Sequence, residues 1–194
     1  MQAEAKLGEL LASYEEVARR KIQSEVNAIL DDVAHKDYHC RIRENYMLEL
    51  VLNERATPKS GGENQLLSLA FIAALVKFAA SRIHDENSIL KPGTSAPLVL
   101  DAPLGQLDPA YQVAVAEFLP KLADQVVLLV SGSQGVEKVL ESLRPYVTAE
   151  YVLIQNNSEP RGKKPLMKRV LGGKEYDLII YGCPKRMTEI QRIS

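Results

Sequence analysis

Apolar residues recur every three or four positions along the first 34 residues. The series is Leu7, Leu11, Tyr14, Ala18, Ile22, Val26, Ile29 and Val33. This spacing predicts an amphipathic helix over residues 3–34, about 45–50 Å long at 1.5 Å per residue. The pattern fits two interpretations: a helix packed on its own domain, or the base of a coiled coil.

A period of two replaces the helical spacing after the helix. Two alternating runs flank a turn at Glu44-Asn45, and their apolar members are Tyr38, Cys40, Ile42, Tyr46, Leu48 and Leu50. They predict a β-hairpin. We interpret His35 and His39 as surface or packing residues, because the helix ends near Ala34 and cannot hold both for a metal.

The rest of the chain alternates between helical and strand patterns. The predicted elements are a helix over 63–82, a loop over 82–96, a strand over 98–101, a helix over 109–122, a strand over 125–130, a helix over 135–143, a strand over 150–154 and a hairpin over 166–170 and 175–181. Asp108 is the predicted N-cap of the helix over 109–122, with Pro109 in its first turn. This order predicts an α/β fold with a mostly parallel sheet flanked by helices on both faces.

Composition narrows the class of protein. The chain has 194 residues, of which 46% are hydrophobic and 25% charged, and its net charge is −1. One globular domain without a general affinity for nucleic acid is expected. Cys40 and Cys183 form no C-x-x-C pair, and the apolar stretch 66–80 is broken by Ser68 and Lys77. We therefore expect a cytoplasmic protein with no membrane partner.

Two short segments carry candidate chemistry. Ser60-Gly61-Gly62-Glu63 opens the helix over 63–82, and free N–H groups at a glycine-rich helix start suit a phosphate. Asp101 ends an apolar strand, where a carboxylate suits Mg²⁺ on such a phosphate. No G-x-x-x-x-G-K-[ST] sequence is present. The chain therefore supplies half of an ATP site, and another lobe has to supply the phosphate-binding loop.

These segments resemble motifs of the ABC-type ATPase superfamily. Residues 59–65, called the signature segment below, are similar to its signature motif, and Glu63 with residues 66–75 favours the SMC and SbcC-type branch. Asp101 resembles the acid at the end of a Walker B strand. Residues 102–108, called the D-loop segment below, resemble the D-loop that follows it. The motif D-A-P-L-G-x-L-D is similar to the corresponding motif of DndD-like ATPases, which are associated with DNA phosphorothioation. The resemblance covers residues 38–154.

The resemblance implies an ABC-type ATPase head lobe with ATP and Mg²⁺ as cofactors. Residues 1–34 would be the end of a coiled coil, and residues 35–194 the C-terminal lobe, completed by an N-terminal Walker A lobe. ATP would close two such heads into a dimer. The implied roles are contact with the opposite head's γ-phosphate for Ser60, Gly61, Gly62 and Glu63, Mg²⁺ binding for Asp101, and alignment of the heads for Asp108.

Two positions depart from the family pattern. Ala102 stands where the family has a glutamate that activates water, and Ser131-Gly132-Ser133-Gln134 stands where it has a switch histidine. Ser131 or Gln134 could hydrogen-bond phosphate or water, and Gln134 is the candidate catalytic partner of Asp101. Hydrolysis is therefore expected to be slow or to depend on another residue.

The implied function is ATP hydrolysis between two heads that drives DNA modification, restriction or repair. The alternatives are a non-hydrolysing, ATP-gated DNA clamp or scaffold, and a transporter ATPase subunit. A basic cluster could contact DNA or form a solvated surface; its members are Arg161, Lys163, Lys164, Lys168 and Arg169.

Overall fold

A computed structural model of the chain describes residues 2–83, 97–132 and 137–193. Two compact units are present, Met1–Pro145 and Tyr146–Ser194. The division between these units does not test the predicted end of the coiled coil at residue 34, which stays a prediction. Most of the loop predicted over 82–96 lies outside the described residues.

The first unit contains four α-helices and five strands among the described residues. In chain order they are α1 (Gln2–Val33), β1 (His39–Ile42), β2 (Leu48–Leu52), β3 (Arg55–Ala56), α2 (Gly61–Ile83), β4 (Leu98–Asp101), α3 (Pro109–Phe118), β5 (Val126–Leu129) and α4 (Glu137–Leu143). The second unit contains β6 (Tyr151–Asn157), β7 (Lys168–Leu171), β8 (Lys174–Asp177), β9 (Ile179–Tyr181) and β10 (Met187–Arg192).

The two halves of α1 have different surroundings. Its C-terminal half enters the main core through Ile22, Val26, Ile29, Leu30 and Val33. Its N-terminal half leaves its apolar side chains exposed, among them Leu7, Leu11 and Tyr14. The predicted helix is confirmed, and packing on its own domain accounts for only the second half of its apolar stripe.

The predicted β-hairpin is confirmed and its edge is closed by α1. β1 and β2 are antiparallel, with Ile42 opposite Leu48. From α1, Asn27 Oδ1 accepts a hydrogen bond from Cys40 N at 2.6 Å, and Gln23 Oε1 accepts one from Ile42 N at 2.8 Å. These amides on the outer edge of β1 are therefore satisfied by side chains.

Helix α2 is the central helix of the first unit. Its buried residues are Leu66, Leu67, Leu69, Ala70, Ala73 and Ala74. By length and composition alone, the 23-residue helix Gly61–Ile83 is apolar enough to cross a membrane. A core helix meets the same criteria, and the burial of one continuous face indicates that role for α2.

The expectation of a mostly parallel sheet covered on both faces is wrong for the described residues. β4 and β5 are parallel, but they form a two-stranded sheet. One face buries Leu100, whereas the other exposes Val99, Val127 and Leu129. The strand sequences are apolar on both faces, as in buried parallel sheets, but the described helices cover only one face.

The second unit has its own sheets. β6 pairs with β10 antiparallel and with β9 parallel, while β7 and β8 form the predicted hairpin. The strand predicted over 150–154 therefore does not extend the β4–β5 sheet, and β10 was not predicted. The run 175–181 divides at Leu178, whose carbonyl accepts a hydrogen bond from Gln155 N at 2.9 Å. That bond draws the chain from the hairpin into pairing with β6.

A candidate nucleotide-contact site at the start of α2

The signature segment begins α2 with a reciprocal pair of hydrogen bonds. Ser60 N donates to Glu63 Oε2 at 2.9 Å, and Glu63 N donates to Ser60 Oγ at 3.2 Å. This is a capping box, so the start of the helix is fixed by its own sequence. Because Ser60 Oγ already accepts a hydrogen bond, its hydroxyl proton remains able to donate to another group.

Two residues between α1 and β1 hold Glu63 from outside its helix. The Tyr38 hydroxyl donates to Glu63 Oε1. Lys36 Nζ lies 3.6 Å from the same oxygen. The Tyr38 hydrogen bond, followed by those from Ser60, lowers the pKa of Glu63 from 4.5 to about 2. Glu63 is therefore ionised throughout the physiological pH range and is a fixed acceptor.

The D-loop segment lies directly against the signature segment. A Cβ added at Gly62 would lie 3.0 Å from the carbonyl oxygen of Gln106, and one added at Gly61 would lie 3.0 Å from Gln106 Oε1. Gln106 N donates to Gln65 Oε1 at 2.8 Å. A side chain at Gly62 would press on the backbone of the D-loop segment, whereas one at Gly61 would meet only the end of the flexible Gln106 side chain.

A buried glutamine, which the sequence analysis missed, holds the D-loop segment from inside. Gln112 Nε2 donates to the carbonyl oxygens of Leu104 and Leu107, each at 3.1 Å. Both leucines are buried. The available sequence signal was a polar residue on the face of α3 that also carries Val115 and Ala116.

Asp108 caps α3. Its side chain accepts hydrogen bonds from Ala110 N and Tyr111 N, both at 3.0 Å. The predicted N-cap is therefore confirmed, with Pro109 in the first turn. Alignment of two heads by Asp108 is a further role that stays a prediction.

A cavity of about 490 Å³ brings most of the predicted ATP-binding residues together. Its lining is His35, Lys36, Ser60, Gly62, Glu63, Leu66, Gln106, Asp108 and Tyr111. The rings of His35 and Tyr111 have centroids 4.3 Å apart, so His35 is a packing residue as predicted. Gly61 lies against the side chain of Gln106, which lines this cavity.

Asp101 is exposed at the carboxyl end of β4 and is not among the residues that line this cavity. Within the described ranges, no group of three or more His, Cys, Asp or Glu side chains could hold a metal. One carboxylate fits Mg²⁺ nevertheless, because this ion is usually bound by one or two carboxylates together with substrate phosphates and water. Mg²⁺ held there would neutralise phosphate charge.

The residue after Asp101 has an unusual backbone. Ala102 has a φ of 50°, and its N–H donates to Leu129 O at 3.0 Å, which continues the β4–β5 ladder. The left-handed conformation costs a non-glycine residue about 1 kcal/mol or more. A methyl group at this position offers no proton-accepting atom.

The other candidate catalytic residue, Gln134, lies outside the described residues. Ser131 is the last strongly polar side chain described before it. The role of Gln134 in catalysis therefore stays a prediction.

The basic cluster lies in the second unit, and carboxylates balance part of its charge. Lys164 forms an ion pair with Glu159, and Lys168 Nζ lies 2.7 Å from Glu175. Arg161 Nε donates to the backbone carbonyl of Lys164 at 3.2 Å. Lys163 and Arg169 complete the cluster, and its contact with DNA stays a prediction.

Comparisons with known proteins give one kind of match. No family model matches the sequence, and no curated protein matches it significantly. The chain is similar to a solved structure from work on the ATP-driven dimerization and DNA-stimulated activation of SMC ATPases, with a TM-score of 0.49 and 14% identity over 94% of this chain and 89% of the other. At these values the similarity carries no argument about activity or residues.

Proposed function

We propose that this chain is the C-terminal lobe of an SMC-like ATPase head that acts with ATP and Mg²⁺. The observation that carries the proposal is the contact between the signature and D-loop segments. Residues about forty positions apart meet through Gly62 and Gln106 and line one cavity with Ser60 and Asp108. The sequence predicts that both segments belong to ATP sites, and their convergence supports a role for this cavity in contacting a nucleotide.

The chain would contribute to two different ATP molecules. Asp101 does not line the cavity that contains Ser60 and Gly62, so its Mg²⁺ would belong to ATP held by its own head. Ser60, Gly61, Gly62 and Glu63 would face the γ-phosphate of ATP held by the opposite head. ATP would then join two heads, with Asp108 near the contact between them.

The exposed face of the β4–β5 sheet supports an N-terminal Walker A lobe as the first partner. Val99, Val127 and Leu129 form an apolar surface on parallel strands, which are normally buried on both faces. The sequence has no phosphate-binding loop of its own. One partner lobe would supply that loop and cover this surface.

The N-terminal half of α1 supports a coiled-coil partner. Leu7, Leu11 and Tyr14 are exposed and are separated by steps of four and three, as along a coiled-coil seam. Residues 1–34 would then be the end of a coil that enters the head.

Because Ala102 cannot activate water, the mode of action depends on whether another residue does so. With a nearby water-activating residue such as Gln134, the ATPase would hydrolyse ATP slowly and drive DNA modification, restriction or repair, most closely as DndD-like ATPases do. Without one, it would be an ATP-gated DNA clamp or scaffold. The basic cluster would provide DNA contacts in either mode, and the protein would be cytoplasmic. A transporter subunit remains the third alternative.

Head closure tests the proposal. In the complete ATPase, Ser60→Arg places a bulky cation at the γ-phosphate position, so we expect ATP binding to persist and ATP-dependent dimerisation to be lost in analytical ultracentrifugation. Ser68→Arg is the matched control, because Ser68 is exposed two turns further along α2. Normal dimerisation of Ser60→Arg would overturn the proposed function.

A further inference from the structure

The hydroxyl of Tyr38, its only polar side-chain group, contacts the signature segment. The residue is 2% exposed, and its hydroxyl donates to Glu63 Oε1. Lys36 Nζ lies 5.5 Å from the centroid of the Tyr38 ring and 3.6 Å from Glu63 Oε1. A phenylalanine could fill the same space, so packing alone does not explain the hydroxyl.

The two oxygens of Glu63 have separate partners. Oε1 accepts from Tyr38, and Oε2 accepts from Ser60 N. In a capping box without an outside contact, the glutamate can rotate about its side-chain bonds. Here a buried phenol fixes Oε1, and this also fixes the direction from which Oε2 reaches Ser60.

The helix start in turn holds the hydroxyl oxygen of Ser60 in place. Ser60 Oγ accepts a hydrogen bond from Glu63 N at 3.2 Å, which leaves the hydroxyl proton to donate. In the described part of the chain, this proton has no hydrogen-bond acceptor. Tyr38, Glu63 and Ser60 therefore form a connected series from the α1–β1 connection to the cavity.

We propose that Tyr38 is a positioning residue: through Glu63 it holds Ser60 in the orientation that contacts the γ-phosphate of ATP on the opposite head. This inference rests on the proposed function. It adds that the ability of the signature segment to contact phosphate depends on Tyr38 in the connection between α1 and β1, and not only on the start of α2.

Tyr38→Phe and Tyr46→Phe form a matched pair. Tyr46 lies in the turn of the same hairpin, and its hydroxyl donates to Glu15 Oε1 at 2.5 Å. Each substitution removes one phenol–carboxylate hydrogen bond and keeps the ring. Only Tyr38→Phe releases Glu63.

Amide hydrogen exchange on the 194-residue chain tests the structural link. We expect the amides of Ser60 and Glu63 to exchange roughly tenfold faster in Tyr38→Phe, in line with the loss of a hydrogen bond to a charged group, and at the parent rate in Tyr46→Phe. Parent-like exchange at both amides in Tyr38→Phe would overturn the inference.

Kinetics of the complete ATPase test the functional link. Tyr38→Phe should lower kcat for phosphate release, or the extent of ATP-dependent closure, at unchanged affinity of the Walker A lobe for ATP. Combining Tyr38→Phe with Glu63→Gln should lower activity no further than Glu63→Gln alone, because both act through one carboxylate. Additive losses would contradict the series.

The outcomes separate this inference from the function on which it rests. A defective Ser60→Arg beside a fully active Tyr38→Phe overturns the role of Tyr38 and leaves the proposed function standing. Normal closure of Ser60→Arg overturns the proposed function, and with it any phosphate-related role of Tyr38.

Discussion

The carbonyl oxygen of Gln106 lies 3.0 Å from the point that a Cβ on Gly62 would occupy. Gly61 meets Gln106 at the same distance, but it meets the end of the side chain, which can move aside. The two adjacent glycines therefore differ in what they protect. Gly62 leaves room for the backbone of the D-loop segment, whereas Gly61 leaves room only for one flexible side chain.

Substitution by alanine should separate these glycines. Gly62→Ala forces the D-loop backbone to shift, and we expect it to lower the free energy of unfolding by about 1–3 kcal/mol. Gly61→Ala should be neutral or stabilise by up to about 1 kcal/mol, since alanine favours the helix. Urea denaturation of both variants measures the difference. Equal destabilisation would contradict the distinction between backbone and side-chain contact.

The exposed face of the β4–β5 sheet gives a prediction about lobe assembly. Val99 is 59% exposed, so Val99→Lys should change the stability of this chain by no more than about 0.5 kcal/mol. It should prevent co-purification with the Walker A lobe, because a charge would be buried at the contact. Val170→Lys, at a 65% exposed position on β7, is the control. Retained assembly of Val99→Lys would argue that another surface receives the partner.

Asp101 and Ala102 together test whether the protein is an enzyme. Asp101→Ala removes the proposed Mg²⁺ ligand and should abolish phosphate release by the complete ATPase. Ala102→Glu should raise the rate, because a positioned general base typically contributes about 10²–10⁴-fold. Ala102 already carries a Cβ at a φ of 50°, so glutamate adds no new type of backbone strain.

Steady-state phosphate release measures both variants. Ala102→Gln is the control for Ala102→Glu, since it has nearly the same size and cannot act as a base. A rate increase shared by both would indicate a steric effect. An ATP-gated clamp would show no release in the parent protein and none to lose in Asp101→Ala.

Glu63 gives a prediction about pH. Its pKa falls from 4.5 in the unfolded chain to about 2 in the folded one, chiefly because Tyr38 and Ser60 donate to the carboxylate. A lowered folded-state pKa means that the stabilisation is complete above pH 4.5 and is lost as pH falls toward 2. One pKa unit corresponds to about 1.4 kcal/mol, so the contribution is a few kcal/mol at most.

Comparison with Glu63→Gln isolates this contribution from other carboxylates. Urea denaturation between pH 6 and pH 2 should show the parent more stable at the upper end, with the difference shrinking below about pH 4.5. Without the Tyr38 hydrogen bond the pKa of Glu63 is lowered less, so Tyr38→Phe should lose less stability than the parent below about pH 4.5, and the loss should be complete at a higher pH. A pH-independent difference between parent and Glu63→Gln would contradict the lowered pKa.

Local sequence was sufficient for most elements and for the two key segments. The three- and four-residue spacing from Leu7 to Val33 predicted α1, and Asp108 with Pro109 predicted the start of α3. Ser60 and Glu63 predicted the helix start at α2. These features depend on interactions between residues a few positions apart, which the order of residues specifies directly.

Strand pairing and the convergence of the site were decided only by tertiary structure. The apolar strands 98–101 and 150–154 have similar patterns, but β4 pairs with β5 and β6 pairs with β9 and β10. Likewise, no local pattern relates Tyr38 to Glu63 or Gly62 to Gln106. These contacts join distant residues through packing around the core of each unit, so only the folded chain specifies which side chains meet.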